Sequence, residues 1–341
     1  MKPNLEIICP VANAALSPLR LQQVLKVLDL DAFAHFWPVP STITRAEFAI
    51  ALNMALFADL LDRVPSGADY VRSVQALGEQ VMFDHGALRT ICLPDGAASV
   101  VPAGHLAFER ILVPMGYEVA GIYPLPGLKM TGYAYAHSDF AEAIPQFFVS
   151  ELHIDQFSSA FQSAAVRIFG DAQDRLGAAA EKVLRLFGRD NAAPASLAMT
   201  AIIELMECFA RTHAAPSLSD YEVLLSESAE AAWIATEGNA FNHATDRVAD
   251  VELLANQLRR QGRPIKDKVE YSGSGRVRQT ALRADRVNRE FTDRDGNTVV
   301  RSVPGSFYEF ISRDTDPATG KLDLSFDSSN AQGIFAMTKA A

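Results

Sequence analysis

The chain has 341 residues, 49% of them hydrophobic and 21% charged, and its formal net charge is −10. This length and composition are those of a globular protein with room for a buried site, in one large domain or two. The negative charge argues against nucleic acid as a partner, and no apolar run approaches the roughly 20 residues that span a bilayer.

The cysteines and the N-terminus bear on the compartment. Three scattered cysteines, Cys9, Cys92 and Cys208, form no CxxC pair, so we expect neither a disulfide framework nor a zinc–thiolate site. The first residues make a poor signal peptide, because a weak apolar run is broken by Pro10. These features together predict a cytoplasmic protein.

Residues 1–82 are predicted to form an N-terminal helical region. Leucines recur at helical spacing over Ser17–Leu30, and Thr44 opens a capping box with Glu47. The capping box predicts a helix that runs to about Val64. A further helix is expected from Ala68 to about Met82.

Residues 83–154 are predicted to form a first unit with the order strand, helix, strand, strand, strand. Its helix is expected at Gly104–Met115, and its strands at His85–Leu93, Tyr117–Tyr123, Gly132–His137 and Gln146–Ile154. Residues 155–237 then read as a helical insertion. Apolar residues at three- and four-residue steps predict four helices there, at Phe157–Phe169, Ala172–Phe187, Ala195–Arg211 and Leu218–Ala232.

Residues 238–313 return to a strand-rich order and are predicted to form a second unit. A helix is expected at Val251–Gln261, and strands at Asn239–Val248, Asp267–Tyr271, Val277–Ala284, Asn297–Val303 and Ser306–Arg313. Residues 314–341 form a polar C-terminal tail. The repeated order predicts an α+β fold in which the sheets of two βαβββ units form a half-open barrel.

Three polar residues fall on strands that would line this barrel. His85 and His243 lie in the first strands of the two units, and Glu309 lies in the last strand of the second. Two imidazoles and one carboxylate on one face of a metal leave three positions open, as in non-haem iron(II) oxygenases. Each residue also has a structural interpretation. The histidines could cap a helix or bind a backbone carbonyl, and Glu309 could pair with an arginine, Arg247 or Arg283.

Three segments carry a resemblance to a known family. The segments FDHGALRT, GNAFNHATDRV and VPGSFYEF resemble those of the 2-oxoadipate dioxygenase/decarboxylase family, and the resemblance spans roughly residues 80–313. That family is similar in fold to vicinal-oxygen-chelate enzymes such as the glyoxalases and hydroxymandelate synthase. The resemblance implies Fe(II) held by His85, His243 and Glu309, and conversion of 2-oxoadipate and dioxygen to 2-hydroxyglutarate and carbon dioxide.

The same resemblance implies a substrate-binding role for Arg89, four residues after His85. This spacing puts both side chains on one face of a strand, although Arg89 could instead form a structural ion pair. Gln279 is a further candidate for hydrogen bonding to substrate.

Other residues and reactions stay open. Glu151 or His153 could supply a fourth ligand, as in a glyoxalase-like lyase or isomerase that uses zinc, nickel or manganese. His137 could lie behind a metal ligand and form a hydrogen bond with it. A third possibility is a barrel that binds ligands without chemistry.

Overall fold

The computed structural model describes residues 5–30, 41–94, 96 and 99–326. Its strands, numbered in chain order, are β1 Thr42–Thr44, β2 Phe83–Cys92, β3 Tyr117–Leu125, β4 Met130–His137, β5 Gln146–His153, β6 Ala192–Pro194, β7 His243–Arg247, β8 Glu270–Tyr271, β9 Val277–Ala281, β10 Arg286–Thr292, β11 Thr298–Pro304 and β12 Phe307–Arg313. Its helices are α1 Leu5–Ala15, α2 Pro18–Val27, α3 Arg45–Arg63, α4 Pro65–Ala76, α5 Leu106–Leu112, α6 Ser159–Phe169, α7 Ala178–Asp190, α8 Ala195–Cys208, α9 Leu218–Glu227, α10 Ala229–Glu237 and α11 Val251–Arg260.

Eight strands form one curled sheet in the order β3-β4-β5-β2-β7-β12-β9-β8. The two halves of this sheet are built alike. In each half the first strand pairs in parallel with the last, β2 with β5 and β7 with β12, and antiparallel strands follow outward. The halves meet where β2 and β7 pair antiparallel. This arrangement confirms the predicted α+β half-barrel of two βαβββ units.

The predicted strand at Asn297–Val303 exists as β11, but it lies outside the main sheet. It pairs with β10, a strand that the sequence did not predict, in a separate hairpin. The residues of β10 read RVNREFT, and its many exposed polar side chains hide the strand pattern. Phe291 anchors the hairpin, because its ring lies 4.7 Å from the ring of Tyr221 in α9. The third strand of the second half is therefore β9.

In the N-terminal region, the helices begin closer to their predicted first residues than they end to their predicted last residues. The capping box of α3 is present: Glu47 Oε2 accepts from Thr44 N at 2.8 Å, and Thr44 Oγ1 accepts from Glu47 N at 3.2 Å. The next helix, α4, ends at Ala76 rather than near Met82. Gly78 with φ of 75° follows the end of α4, and this left-handed conformation is one that glycine adopts readily.

The predicted insertion contains five helices within the described residues rather than four. The expected Leu218–Ala232 helix is broken at Ser228, whose hydroxyl accepts from Ala231 N at 3.1 Å and starts α10. The second expected helix begins six residues later than predicted, at Ala178. The insertion and the N-terminal region also touch, because β1 pairs with β6. The division of the chain into five regions stays a prediction.

The two faces of the sheet have different roles. On one face, apolar side chains such as Leu88, Phe147 and Tyr308 join a core shared with α3. Alternate residues of a strand point to opposite faces, so His85 and Glu309 lie on the other face. Among the described helices, none has the length and apolar character needed to cross a membrane.

Candidate metal centre

Three neighbouring strands bring His85, His243 and Glu309 together. Thr245 on β7 pairs with His85 on one side and with Glu309 on the other. His243, two residues earlier on β7, shares their face. One ligand atom from each of the three residues lies within 4.8 Å of the other two, and all three side chains are buried.

The carboxylate of Glu309 lies at the centre of this cluster. Its Oε2 accepts from Thr245 Oγ1 at 2.7 Å and lies 3.3 Å from His85 Nε2 and 3.4 Å from His243 Nε2. Its Oε1 is buried, and no residue that the structure describes forms a hydrogen bond with it. An unsatisfied buried carboxylate oxygen is costly, and a cation would satisfy it. Two imidazoles and one carboxylate suit a first-row divalent metal such as iron(II).

His85 is oriented by the residue that precedes it. Its Nδ1 lies 2.8 Å from Asp84 Oδ2, which leaves Nε2 toward Glu309. Asp84 in turn binds the guanidinium groups of Arg313, at 2.9 Å, and Arg247. The β2–β7 ladder shifts register between Phe83 and His85, and such an irregularity re-aims side chains next to functional sites.

His243 is oriented in the same way by Asn242, whose Nδ2 lies 2.9 Å from His243 Nδ1. The oxygen and nitrogen of an amide are assigned from hydrogen bonding. Asn242 Oδ1 is buried and has no partner in the described ranges of the chain. Turning this amide would let this oxygen accept the Nδ1 proton of His243. His243 Nε2 would then be free to bind a metal.

The electrostatics of the cluster favour positive charge. Burial lowers the pKa of His243 to about 3, so this imidazole is neutral, as a metal ligand must be. Burial also opposes a proton on His85, but hydrogen bonds to Asp84 and Glu309 outweigh it and raise the pKa of His85. Burial would raise the pKa of Glu309, but the two histidines and Thr245 lower it. Asp84 and Glu309 thus stabilise a positive charge placed between them. A bound divalent cation would carry more positive charge there than a proton on His85.

Replacing Asp84 with asparagine is expected to weaken both the fold and the metal centre. The change leaves the buried guanidinium of Arg313 without its anion, which costs about 3 kcal/mol of unfolding free energy. It also replaces the anionic acceptor of the His85 Nδ1 proton with a neutral amide oxygen, which is a weaker acceptor, so metal affinity should fall about 10-fold. Urea denaturation and chelator competition measure the two effects. If both the unfolding free energy and the metal affinity stay at their wild-type values, Asp84 contributes to neither.

The same variant should flatten the dependence of stability on pH. Burial opposes ionisation of Asp84, but Arg313, Arg247 and His85 outweigh it and hold its pKa well below 3.8. The unfolded chain therefore binds the proton first as pH falls. The stabilisation is present above about pH 4 and is lost as pH falls through the lower folded pKa. Between about pH 5 and 3, the wild type should lose more unfolding free energy than Asp84→Asn.

The two predicted substrate residues lie on the same face as the cluster. Arg89 is fully buried on β2, and its guanidinium lies 5.0 Å from the centre of the Trp233 ring on α10. Burial lowers the pKa of Arg89 to about 10, so it remains a cation at neutral pH. Gln279 on β9 pairs with Ile311, the residue two positions beyond Glu309, and is buried.

Other candidates from the sequence lie elsewhere. Glu151 and His153 pair with Thr90 and Cys92, which places them on the face opposite His85. Glu151 there accepts from His105 N at 3.0 Å and from Tyr133 Oη at 3.0 Å.

His137 also lies away from the cluster, since its ring packs against Tyr117 and Phe140. The arginines considered as partners of Glu309 bind other groups. Arg247 binds Asp84, and Arg283 lies 3.7 Å from Asp267.

Several residues of the centre escaped sequence reasoning. Asp84 and Asn242 each directly precede a candidate ligand, and this repeated adjacency was a usable signal. Thr245 carried no signal of its own. Nor did Phe326, in the tail, whose ring lies edge-on to that of His85 with the centroids 4.9 Å apart. Residues 327–341 of the predicted tail lie outside the described part of the chain.

Curated proteins and a family model were compared with the sequence. A sequence model of the 2-oxoadipate dioxygenase/decarboxylase family matches residues 53–322. The chain is 23% identical over 308 residues to the chloroplastic protein of that name from Arabidopsis thaliana, a match that covers 82% of this chain and 74% of the plant protein. It is 26% identical over 272 residues to the chloroplastic/amyloplastic protein of that name from Oryza sativa subsp. japonica, covering 74% and 65%. The cytoplasmic location expected for this chain stays a prediction.

Solved structures share the fold. A glyoxalase superfamily protein from Ralstonia eutropha JMP134 is 50% identical, with a TM-score of 0.88 and coverage of 94% of this chain and 98% of that one. The hydroxyglutarate synthase from Oryza sativa, solved in complex with 2-oxoadipate, has a TM-score of 0.66 at 21% identity and coverage of 90% and 97%. The family model spans most of the chain, and this chain therefore belongs to the 2-oxoadipate dioxygenase/decarboxylase family.

Proposed function

We propose that this protein is a non-haem iron(II) dioxygenase/decarboxylase that converts a 2-oxo dicarboxylic acid such as 2-oxoadipate to 2-hydroxyglutarate and carbon dioxide. The reaction balances with one dioxygen, of which one atom enters the new carboxylate and the other the hydroxyl group. The observation that carries the proposal is the convergence of His85, His243 and Glu309 on the face that also holds a buried Arg89.

The three side chains would hold iron(II) on one side and leave positions for the acid and dioxygen. Bound iron supplies the electrons that activate dioxygen and a Lewis acid that binds the 2-oxo acid. Asp84 and Asn242 keep the two imidazoles in a fixed orientation through their Nδ1 atoms. Apolar rings shield the two histidines from water, since the Phe307 ring lies 4.8 Å from that of His243 and the Phe326 ring lies edge-on to that of His85 at 4.9 Å.

Arg89 accounts for the second carboxylate of the substrate. It lies four residues from His85, about 13 Å along the strand backbone, and its charge acts on His243 across the shared face. A guanidinium binds a carboxylate through two parallel hydrogen bonds. An acid chelated at the metal would therefore meet Arg89 with a carboxylate several carbons away. This geometry suits a dicarboxylic acid better than a short monocarboxylic one.

Oxygen uptake by the iron-reconstituted protein tests this function. We expect 2-oxoadipate to give equal amounts of oxygen consumed and carbon dioxide released. An acid of the same chain length without the distal carboxylate, 2-oxohexanoate, should react slowly. The glyoxalase-like reaction needs no oxygen, so turnover of 2-oxo acids under nitrogen, or an absence of oxygen uptake with every acid, would rule the proposal out.

A further inference from the structure

Gln146 lies next to His85, one of the residues of the candidate metal centre. It is the first residue of β5 and pairs with His85 in the parallel β2–β5 ladder. Paired residues of neighbouring strands share a face, so Gln146 faces the same interior as His85. Its side chain is only 1% exposed, which makes it one of the buried polar groups that need a partner.

Within the described part of the chain, one end of the Gln146 amide has a partner and the other does not. Its Nε2 donates to the carbonyl oxygen of Leu324 at 3.3 Å. A carbonyl can only accept, so the nitrogen must be the end that points to Leu324. The other end, Oε1, is buried and has no hydrogen-bond partner among the described residues. Such an acceptor carries a desolvation cost unless a donor or a cation meets it.

The two-fold construction of the sheet places Gln146 on the strand that corresponds to the one carrying Glu309. In the second half, the last strand β12 lies beside β7 and supplies Glu309 to the centre. In the first half, the last strand β5 lies beside β2 in the same parallel arrangement. Gln146 is therefore on the strand equivalent to that of Glu309 and on the same face, and it lies beside His85 as Phe307 lies beside His243. Glu151 and His153 of the same strand face away.

We propose that Gln146 is a fourth and displaceable metal ligand, whose Oε1 binds the ion in the substrate-free protein and leaves when the 2-oxo acid chelates. Amide oxygens are ligands for hard divalent cations, and a neutral one binds more weakly than a carboxylate. Two neutral imidazoles and one carboxylate leave a divalent centre with one net positive charge. Gln146 preserves that charge for an anionic substrate, whereas a second carboxylate would cancel it.

This inference rests on the metal centre of the proposed function but not on its reaction, so it can be tested without turnover. Apparent affinity for cobalt(II) is measured by chelator competition, together with the visible spectrum of the cobalt protein. We expect Gln146→Leu to lower affinity about tenfold, the scale on which partners near a metal act, and to change the spectrum. Gln146→Glu should bind cobalt more tightly than the wild type. Adding 2-oxoadipate should make the spectra of the wild type and Gln146→Leu converge.

A matched control separates metal binding from support of the tail. Tyr123→Phe removes another hydrogen bond to the tail, from Phe326 N to Tyr123 Oη at 3.1 Å, without changing Gln146. Its cobalt affinity and spectrum should equal those of the wild type. Equal losses in Tyr123→Phe and Gln146→Leu, or no loss in Gln146→Leu, would overturn the role of Gln146 while the three-residue centre stands. A wild type that binds no cobalt would overturn both.

Discussion

The His243→Ala variant should bind no iron and consume no oxygen with 2-oxoadipate, while its fold is kept. His243 Nε2 lies 3.4 Å from Glu309 Oε2 at the centre of the cluster, and alanine offers no ligand atom. The loss of iron affinity should exceed the roughly 100-fold seen when only an outer partner of a ligand is removed. Iron content after reconstitution, oxygen uptake and circular dichroism check the three parts of this expectation.

His153→Ala is the matched control for this variant. His153 is also on a strand of the main sheet, but it lies on the opposite face, where its Nε2 is 2.9 Å from Thr131 Oγ1. Its replacement should leave iron content and oxygen uptake near those of the wild type. Full oxygen uptake by His243→Ala, or an equal loss in both variants, would contradict the assignment of His243.

The Arg89→Lys variant should still bind its metal but should bind the dicarboxylic acid more weakly. Lysine keeps the charge but lacks the fork that binds both carboxylate oxygens. Truncating one partner of a buried charge pair costs about 2–5 kcal/mol, so KM for 2-oxoadipate should rise roughly 100-fold. Cobalt affinity should not change. Steady-state oxygen uptake over a range of acid concentrations measures the effect.

Two comparisons decide whether Arg89 acts on the distal carboxylate. With 2-oxohexanoate, which lacks that group, wild type and Arg89→Lys should have similar kinetics, because the interaction is absent in both. Arg289→Lys serves as a protein control, since Arg289 binds Glu237 of α10 at 2.6 Å in an ion pair with no proposed substrate role. If Arg89→Lys lowers only stability, and KM stays at the wild-type value, then Arg89 is a structural arginine.

Local sequence patterns identified the strands of the centre well. The spacing of His85 and Arg89 required one face of one strand, and both side chains do lie on the site face of β2. The capping box at Thr44 fixed the start of α3. These features depend on residues only a few positions apart, so a short stretch of sequence is enough to predict them.

Features that depend on distant parts of the chain were not predictable in this way. Trp233 lies under Arg89 only because α10 packs against β2, and no local pattern records that contact. Arg313 reaches Asp84 across 229 residues of sequence. The face of Glu151 stayed open in the sequence because it depends on the register between β5 and β2, and a shift of one residue exchanges the faces.

The most direct test of the centre is anomalous diffraction at the iron edge from crystals of the iron-loaded protein. A single strong peak is expected about 2.0–2.3 Å from His85 Nε2, His243 Nε2 and a carboxylate oxygen of Glu309. A peak on the opposite face, where His105 Nδ1 lies 2.8 Å from Glu151 Oε2, or no peak between the two histidines, would contradict this expectation.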